Sequence, residues 1–383
     1  MAEFILLHAR ESDASMRTIV KLIATCLLIS LQSAGGAYAA DMTVGVNVVG
    51  VQNLSETQQD AVVDQLQKAG VKTVRTLLSD KSAHFLTTAY QHGIGAVVII
   101  DPLSGNAAAS QHARRAKPPL TTWSVGRLSD ADPEGFKTWL APLLATLHHD
   151  GVKLTALEIG NELNSPSYNG DFDVPGDGRV LGSSDLQKAW KTWSNHEPVT
   201  DPEATNLARG FTAYLAILSA ARDVERDTPI ITAGAVYNTE RPHPAAHSPA
   251  DRVAHGLPAD DFIHFLRQHG LDDRVDGYGI HIYYSTPANI NAALSICGGP
   301  GNKPCWLTEW GGYPTRDASC TPQSPGDASR AKFIAIVRAA LRPFISHGLL
   351  VSAMYYSWNS GGAIYLPACN DVTSSGRQAI SAF

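Results

Sequence analysis

Two glutamates are set apart by what precedes them. Glu162 closes the apolar run ALEIGNE (156–162), directly after Asn161, and Glu309 ends the run CWLTE (305–309) far downstream. Each is the last residue of a segment whose apolar content reads as a buried strand. Both carboxylates therefore fall at strand ends, where a barrel gathers its reactive groups. A carboxylic acid facing a carboxylate is equipped to cleave an acetal. One protonates the departing oxygen, and the other attacks or stabilises the electron-poor anomeric carbon. A lone strand-end glutamate would as readily cap a loop or pair with an arginine. Two of them, one after Asn161 and one before Trp310, point to chemistry. Glu158 shares the strand face of Glu162 but lies deeper, and it reads as a buried structural carboxylate.

The elements that must hold this pair repeat along the chain. Apolar runs at 44–49, 73–77, 96–101, 154–160, 229–236, 277–283, 304–309 and 351–358 are rich in Val and Ile and alternate little. That pattern suits parallel strands covered on both faces. Helical periodicity fills 55–69, 133–149, 202–225, 258–269 and 326–347. The first of these opens with Ser55-x-x-Gln58, a capping box, and closes at Gly70. Eight strand–helix units predict an α/β fold, a (β/α)8 TIM barrel in a single domain. A doubly wound open sheet is the rival, but no glycine fingerprint follows the first strand. The segments after strands three, four and five are long (102–132, 163–201 and 237–257), and most connections before strands are short. The C-terminal face, where loops after strands meet, is therefore the elaborated one.

The 383 residues are 44% hydrophobic and 17% charged, a globular composition. A net charge of -6 leaves no basic footprint for a nucleic-acid partner. Arg17 and Lys21 precede an apolar stretch at 22–31, and Ala37-Tyr38-Ala39 supplies the small residues a signal peptidase accepts. Residues 1–39 are expected to be a signal peptide, with Met16 an alternative start, and 40–383 the mature catalytic domain. The apolar stretch is too short for a permanent membrane anchor. Lipid attachment at Cys26 is disfavoured by Thr25 beside it. The expected destination is secreted or periplasmic, an oxidising setting in which Cys297, Cys305, Cys320 and Cys369 would form disulfides. Three pairings are open, and Cys297–Cys305 with Cys320–Cys369 is favoured. Zinc is the alternative, without CxxC spacing to support it.

With the pair at the ends of strands four and seven, these residues resemble the clan A retaining glycoside hydrolases, including families 5, 39, 53 and 79. The resemblance covers the layout of the mature barrel, with motif matches at strand ends. It implies that Glu162 is the acid/base and Glu309 the nucleophile of a double displacement, and that Asn161 hydrogen-bonds a sugar 2-hydroxyl. Arg75 in TVRTLL is similar to the clan's arginine that bonds the nucleophile, and a nearby cation keeps a carboxylate ionised. His281 and Tyr283 in GIHIYY resemble the HxY pair on strand six, where alternate spacing puts both on one face. Trp358 in YYSWN resembles the strand-eight tryptophan that floors the cleaved-sugar subsite, a flat ring against a pyranose. Trp310 and Tyr284 are candidates for substrate contact or for packing. Leu163 stands where many relatives carry Pro, and Asp101-Pro102 occupies the place of a family 5 histidine. LEIGNE and TEWGG lean toward families 39 and 79.

Other groups carry less. His243, His247 and His255 read as solvated loop histidines, and Asp171, Asp173 and Asp177 lack the order of a calcium loop. Tyr168, Phe172, Trp190 and Trp193, after strand four, suit either outlying sugar subsites or loop packing. No metal and no cofactor are expected. The sequence thus leads to a secreted, monomeric retaining β-glycoside hydrolase acting on a carbohydrate substrate, with endo action favoured by the long loops. A catalytically inert carbohydrate-binding barrel of an exopolysaccharide system and a transglycosylase are the alternatives.

Overall fold

Eight parallel strands close into a barrel: β1 (Thr43–Asn47), β2 (Thr73–Leu77), β3 (Gly95–Ile100), β4 (Ala156–Asn161), β5 (Ile230–Val236), β6 (Tyr278–Tyr283), β7 (Cys305–Gly311) and β8 (Leu350–Tyr356). Each pairs with the next, and β8 pairs with β1, all in parallel. This is seen in a computed structural model that describes residues 42–106, 114–115, 124–172, 180–236, 256–283, 286–298, 301, 303–311 and 324–383. The expected signal peptide with Met16 and Cys26 lies outside the described residues. So do Cys320, Tyr284, Asp173, Asp177, His243, His247 and His255. Among the described residues no helix is long and apolar enough to cross a membrane.

Every strand is followed by at least one helix: α1 (Glu56–Lys68), α2 (Ala83–Gln91), α3 (Pro133–His149), α4 (Ser183–Ser194), α5 (Pro202–Val224), α6 (Ala259–Gln268), α7 (Pro287–Ala293), α8 (Pro325–Ser346) and α9 (Ser374–Ile380). The start of α1 is a capping box, with Ser55 and Gln58 bonded reciprocally. Four others begin on a cap followed by proline: Asp132-Pro133, Asp201-Pro202, Thr286-Pro287 and Ser324-Pro325. The cap oxygen satisfies an orphan N–H and proline presets the helical φ, so these boundaries are written locally. The segment after β4 holds both α4 and α5.

The barrel interior has two storeys. Val97, Ala156, Ile231, Trp306 and Met354, near the strand starts, form an apolar cluster of their own that plugs the floor. Above it, toward the strand ends, the inward residues turn polar: Asn47, Arg75, Glu158, His281 and Glu309, all buried. Outward residues join the main core under the helices. On the floor side, Cys297 and Cys305 are bonded, with Cα atoms 5.4 Å apart, tying the segment after α7 to the first residue of β7. Cys369 is disulfide-bonded as well; its expected partner Cys320 lies outside the described residues.

Candidate active site

Backbone geometry places Glu162. Gly160 has φ 91° and Glu162 φ 49°, so the chain leaves β4 through two left-handed residues. A Cβ at Gly160 would also meet Leu163 Cδ1 at 2.6 Å and Ala233 Cβ at 3.1 Å. Glycine in the IGNE motif is thus required by conformation and by space. For a glutamate the left-handed region costs of order 1–3 kcal/mol, and such residues cluster at functional sites. Two backbone bonds hold it there, from Glu162 N to Gly234 O (3.0 Å) and from Ser165 N to Glu162 O (2.8 Å). Glu309, expected as a strand terminus, lies two residues inside β7, which runs on to Gly311.

Arg75, fully buried on β2, organises the site. Its Nε and Nη2 donate to Glu158 (2.5 and 3.0 Å). Its remaining N–H groups reach Asn47 Oδ1 at 2.8 Å, Asn161 Oδ1 at 2.8 Å and Glu309 Oε1. All five donors of the guanidinium are engaged. Glu158 also accepts from Thr308 Oγ1 and Gly234 N, both at 2.9 Å. It is a saturated counter-charge for Arg75, the structural role its depth suggested. Asn47, the missed member, anchors its amide on the carbonyls of Thr308 (3.0 Å), Met354 (3.4 Å) and Tyr355 (3.3 Å). Because a guanidinium can only donate, Asn161 must turn its carbonyl to Arg75, which leaves its NH2 to face the mouth.

His281 and Tyr283, on one face of β6, divide the two catalytic candidates between them. Tyr283 donates its hydroxyl to Glu309 Oε2. His281 Nδ1 lies 2.8 Å from Glu162 Oε1 and 3.6 Å from Glu309 Oε2, and its Nε2 lies 3.4 Å from Arg75 Nη2. Nδ1 faces two carboxyl oxygens while Nε2 faces the Arg75 cation, so Nδ1 carries the proton and donates to Glu162. A Cβ at Gly234 would sit 2.0 Å from His281 Nε2, so the glycine of β5 makes room for this ring. Carboxylate oxygens of Glu162 and Glu309 come within 4.8 Å of each other.

The electrostatics are asymmetric. Burial raises both carboxyls above the ordinary range. At Glu309 the Arg75 cation and the Tyr283 hydroxyl act against burial, whereas Glu162 has the His281 hydrogen bond. A full cation and a hydroxyl favour the ionised form more than one imidazole does, so a proton shared by the pair belongs on Glu162. Burial lowers His281, keeping it neutral. Burial also opposes charge on Arg75, but Glu158 and Glu309 outweigh it and its pKa rises. Tyr283 is raised by burial and by Glu309, and so remains a donor.

Glu162, His281 and Glu309 are also close enough to share a divalent ion. The donors already on them argue for acid chemistry instead. Arg75 bonds Glu309 and lies beside His281, a cation where a metal would add more positive charge, and the Nδ1 proton covers the lone pair a metal would need.

Two tryptophans do not reach the site. Trp310, next to inward Glu309, points the other way by strand alternation; it is fully buried against Tyr355 and Phe383. Trp358 is also buried, stacked on Tyr365 with ring centroids 4.9 Å apart. The strand-eight aromatic in the mouth is Tyr356, two residues earlier, edge-on to Tyr283 at 6.0 Å. It lines a cleft of about 390 Å³ with Asn47, Arg75, Asn161, Glu309 and Tyr168. Of the four aromatics expected after strand four, Tyr168 alone lines that cleft. Phe172 is buried, Trp190 packs on His269, and Trp193 lies under Arg209.

Solved structures share this arrangement of strands and helices. The virulence factor SghA from Agrobacterium tumefaciens overlays with a TM-score of 0.51 at 11% identity, covering 92% of this chain and 99% of that one. A β-glucosidase from Thermotoga maritima, in complex with glucoimidazole, overlays at 0.51 and 12% identity, covering 89% and 97%. A GH42 β-galactosidase from G. stearothermophilus gives 0.52 at 13%, over 90% of this chain and 56% of that one. The fold is a (β/α)8 barrel. At such identities the likeness speaks for the barrel alone, and no family model or curated protein matches the sequence.

Proposed function

We propose that the chain is a retaining β-glycoside hydrolase of the clan A kind. The observation that carries this reading is that one carboxylate oxygen of Glu162 and one of Glu309 lie within 4.8 Å of each other, in unlike surroundings. Retaining enzymes hold their carboxyls roughly 5–5.5 Å apart, and inverting ones leave a gap of about 6.5–9.5 Å for water. Glu162, protonated and held by His281, gives its proton to the departing oxygen. Glu309, ionised and oriented by Arg75 and Tyr283, attacks the anomeric carbon from the other face. Once Glu309 is masked in the glycosyl ester, Glu162 takes a proton from the water that releases the sugar. Asn161 offers its NH2 to the 2-hydroxyl, and Tyr356 offers a ring face to the pyranose. Two of the overlaid barrels are named as a β-glucosidase and a β-galactosidase.

Endo action on a poly- or oligosaccharide is the favoured mode, given the long segments after β3, β4 and β5. Export is favoured by the disulfides together with the basic-then-apolar N-terminus.

The test replaces Glu309 by glycine and supplies azide. The variant should lose turnover, and azide, entering the vacated face, should restore it with a glycosyl azide of inverted configuration. With Glu162→Ala, azide should instead trap the ester and give the retained product. An unchanged rate for Glu309→Gly would remove that residue from the mechanism.

A further inference from the structure

Two side chains in the cleft hold acceptor oxygens that nothing yet described uses. Asp101 follows the last residue of β3 and lines the cleft. Its Oδ1 accepts from Leu103 N at 2.9 Å, an ordinary turn contact. Its Oδ2 has no partner among the described residues. Gln52, in the turn after β1, lines the same cleft, and its Oε1 is buried without a hydrogen-bond partner. A buried acceptor left unpaired costs about 1–3 kcal/mol, so the Gln52 oxygen is placed for a ligand's donor; Asp101 is exposed at the cleft, and its second oxygen is open to any donor that enters.

The wall that carries Gln52 is built before any ligand arrives. Asn359 clamps it from the β8 side, accepting from Val49 N (3.0 Å) and donating to Val49 O (2.8 Å). Gln59 on α1 pins it from beneath, donating to the carbonyls of Val51 (3.0 Å), Leu54 (3.3 Å) and Lys81 (2.7 Å). The single cation among the described lining residues is Arg75, whose five donors are already committed.

We propose that Asp101 and Gln52 set which sugar the cleft accepts: they receive the hydroxyl donors of a neutral glycan and refuse a uronic acid, whose carboxylate would meet Asp101 with no free cation among the described lining residues to offset it. The inference rests on the glycosidase reading above and names the substrate class for that same cleft. A site that hydrogen-bonds a substrate hydroxyl rejects analogues lacking it far more strongly than an apolar wall can.

The experiment measures reducing-end release, as separate kcat and KM, on gluco-, xylo- and manno-oligosaccharides and on oligogalacturonate and glucuronide probes. The wild type should act on a neutral member and not on the uronides. Asp101→Asn keeps the turn contact to Leu103 and removes only the charge. It should raise KM for the neutral substrate about tenfold with kcat little changed, and narrow the gap to the uronides by a similar factor. Gln52→Leu should raise the same KM without narrowing that gap. A wild type that prefers a uronide, or an Asp101→Asn that moves neither KM nor preference beyond twofold, overturns the proposal. If the wild type hydrolyses nothing, the hydrolase reading fails and calorimetric binding decides the wall. Neutral oligosaccharides that bind, and bind more weakly to Asp101→Asn, uphold it; no neutral binding overturns it.

Discussion

At the scale of single residues, the site works through unequal company. Two glutamates of one chemistry sit in one buried space, and their partners separate them: Arg75 and Tyr283 at Glu309, His281 at Glu162. The reaction needs Glu309 ionised and Glu162 protonated. Activity should therefore fall on the acid side as the pair gains its second proton, and on the basic side as it loses its last. Burial raises both groups, so the basic limb should lie above the ordinary carboxylate range of about 4. Glu162→Gln should erase that limb in kcat/KM for an aryl glycoside whose leaving group needs no proton. For a poor leaving group the same variant should be slowed by about 10²–10⁴, the usual worth of general acid catalysis. A basic limb that survives the substitution would mean that another group supplies it. Strand-end position found Glu162 and Glu309 in the sequence, and the motifs that resemble clan A supplied Arg75, Asn161, His281 and Tyr283. The same motifs failed for Trp358, because Tyr356 has the same parity and β8 ends there, leaving Trp358 beyond the strand. They failed for Trp310, where a ring beside a catalytic candidate counted for more than the alternation that turned it outward. Asn47 carried a signal that was not taken up: a lone polar residue inside the run VGVNVV.

At the scale of elements, the strands were legible to within about two residues because they are covered on both faces, and their apolar runs stop where the barrel does. Three of the four helices with a proline after the cap, α3, α5 and α8, were legible for local reasons as well. Those missed, α2, α4, α7 and α9, are short or bury few side chains; α4 buries only Leu186 and Ala189. Their position follows from tertiary contacts that no local pattern records. One such contact yields a prediction. Gly210 sits mid-way along α5, where alanine would ordinarily gain about 1 kcal/mol in helix propensity. A Cβ there would lie 1.9 Å from Asp171 Oδ2. Asp171 is buried and joins the loop after β4 to the rest of the barrel through Ser129 N (3.0 Å), Ser129 Oγ (2.6 Å) and Asn206 Nδ2 (2.8 Å to its carbonyl). Gly210→Ala should therefore destabilise by about 1–3 kcal/mol, the usual cost of overpacking. Denaturant unfolding measures this, and a variant as stable as the parent would show that the loop yields freely. The loop also carries Tyr168 into the cleft, so KM should rise with the loss of stability.

At the scale of the whole molecule, the barrel assigns its two ends to different tasks. The polar storey and the cleft open at the strand C-termini, while the apolar plug and the Cys297–Cys305 bond sit at the strand N-termini. Conserving chemistry at one end and stability at the other is what lets such barrels change substrates by altering loops. The disulfide tests the division here. It closes a short loop, 8 residues in sequence separation, and a loop of that size restrains the unfolded chain by roughly 2–3 kcal/mol. It leads directly into β7, yet three residues of strand lie between Cys305 and Glu309, the plug residue Trp306 among them. The double variant Cys297→Ala, Cys305→Ala should lose about that much stability in denaturant titration while keeping kcat and KM, measured well below its melting temperature, within about twofold. Reducing the parent protein should cost at least as much, since the bond at Cys369 opens too. If kcat falls instead in step with stability, the floor and the mouth are coupled through β7, and the position of Glu309 depends on how that strand is tied at its start.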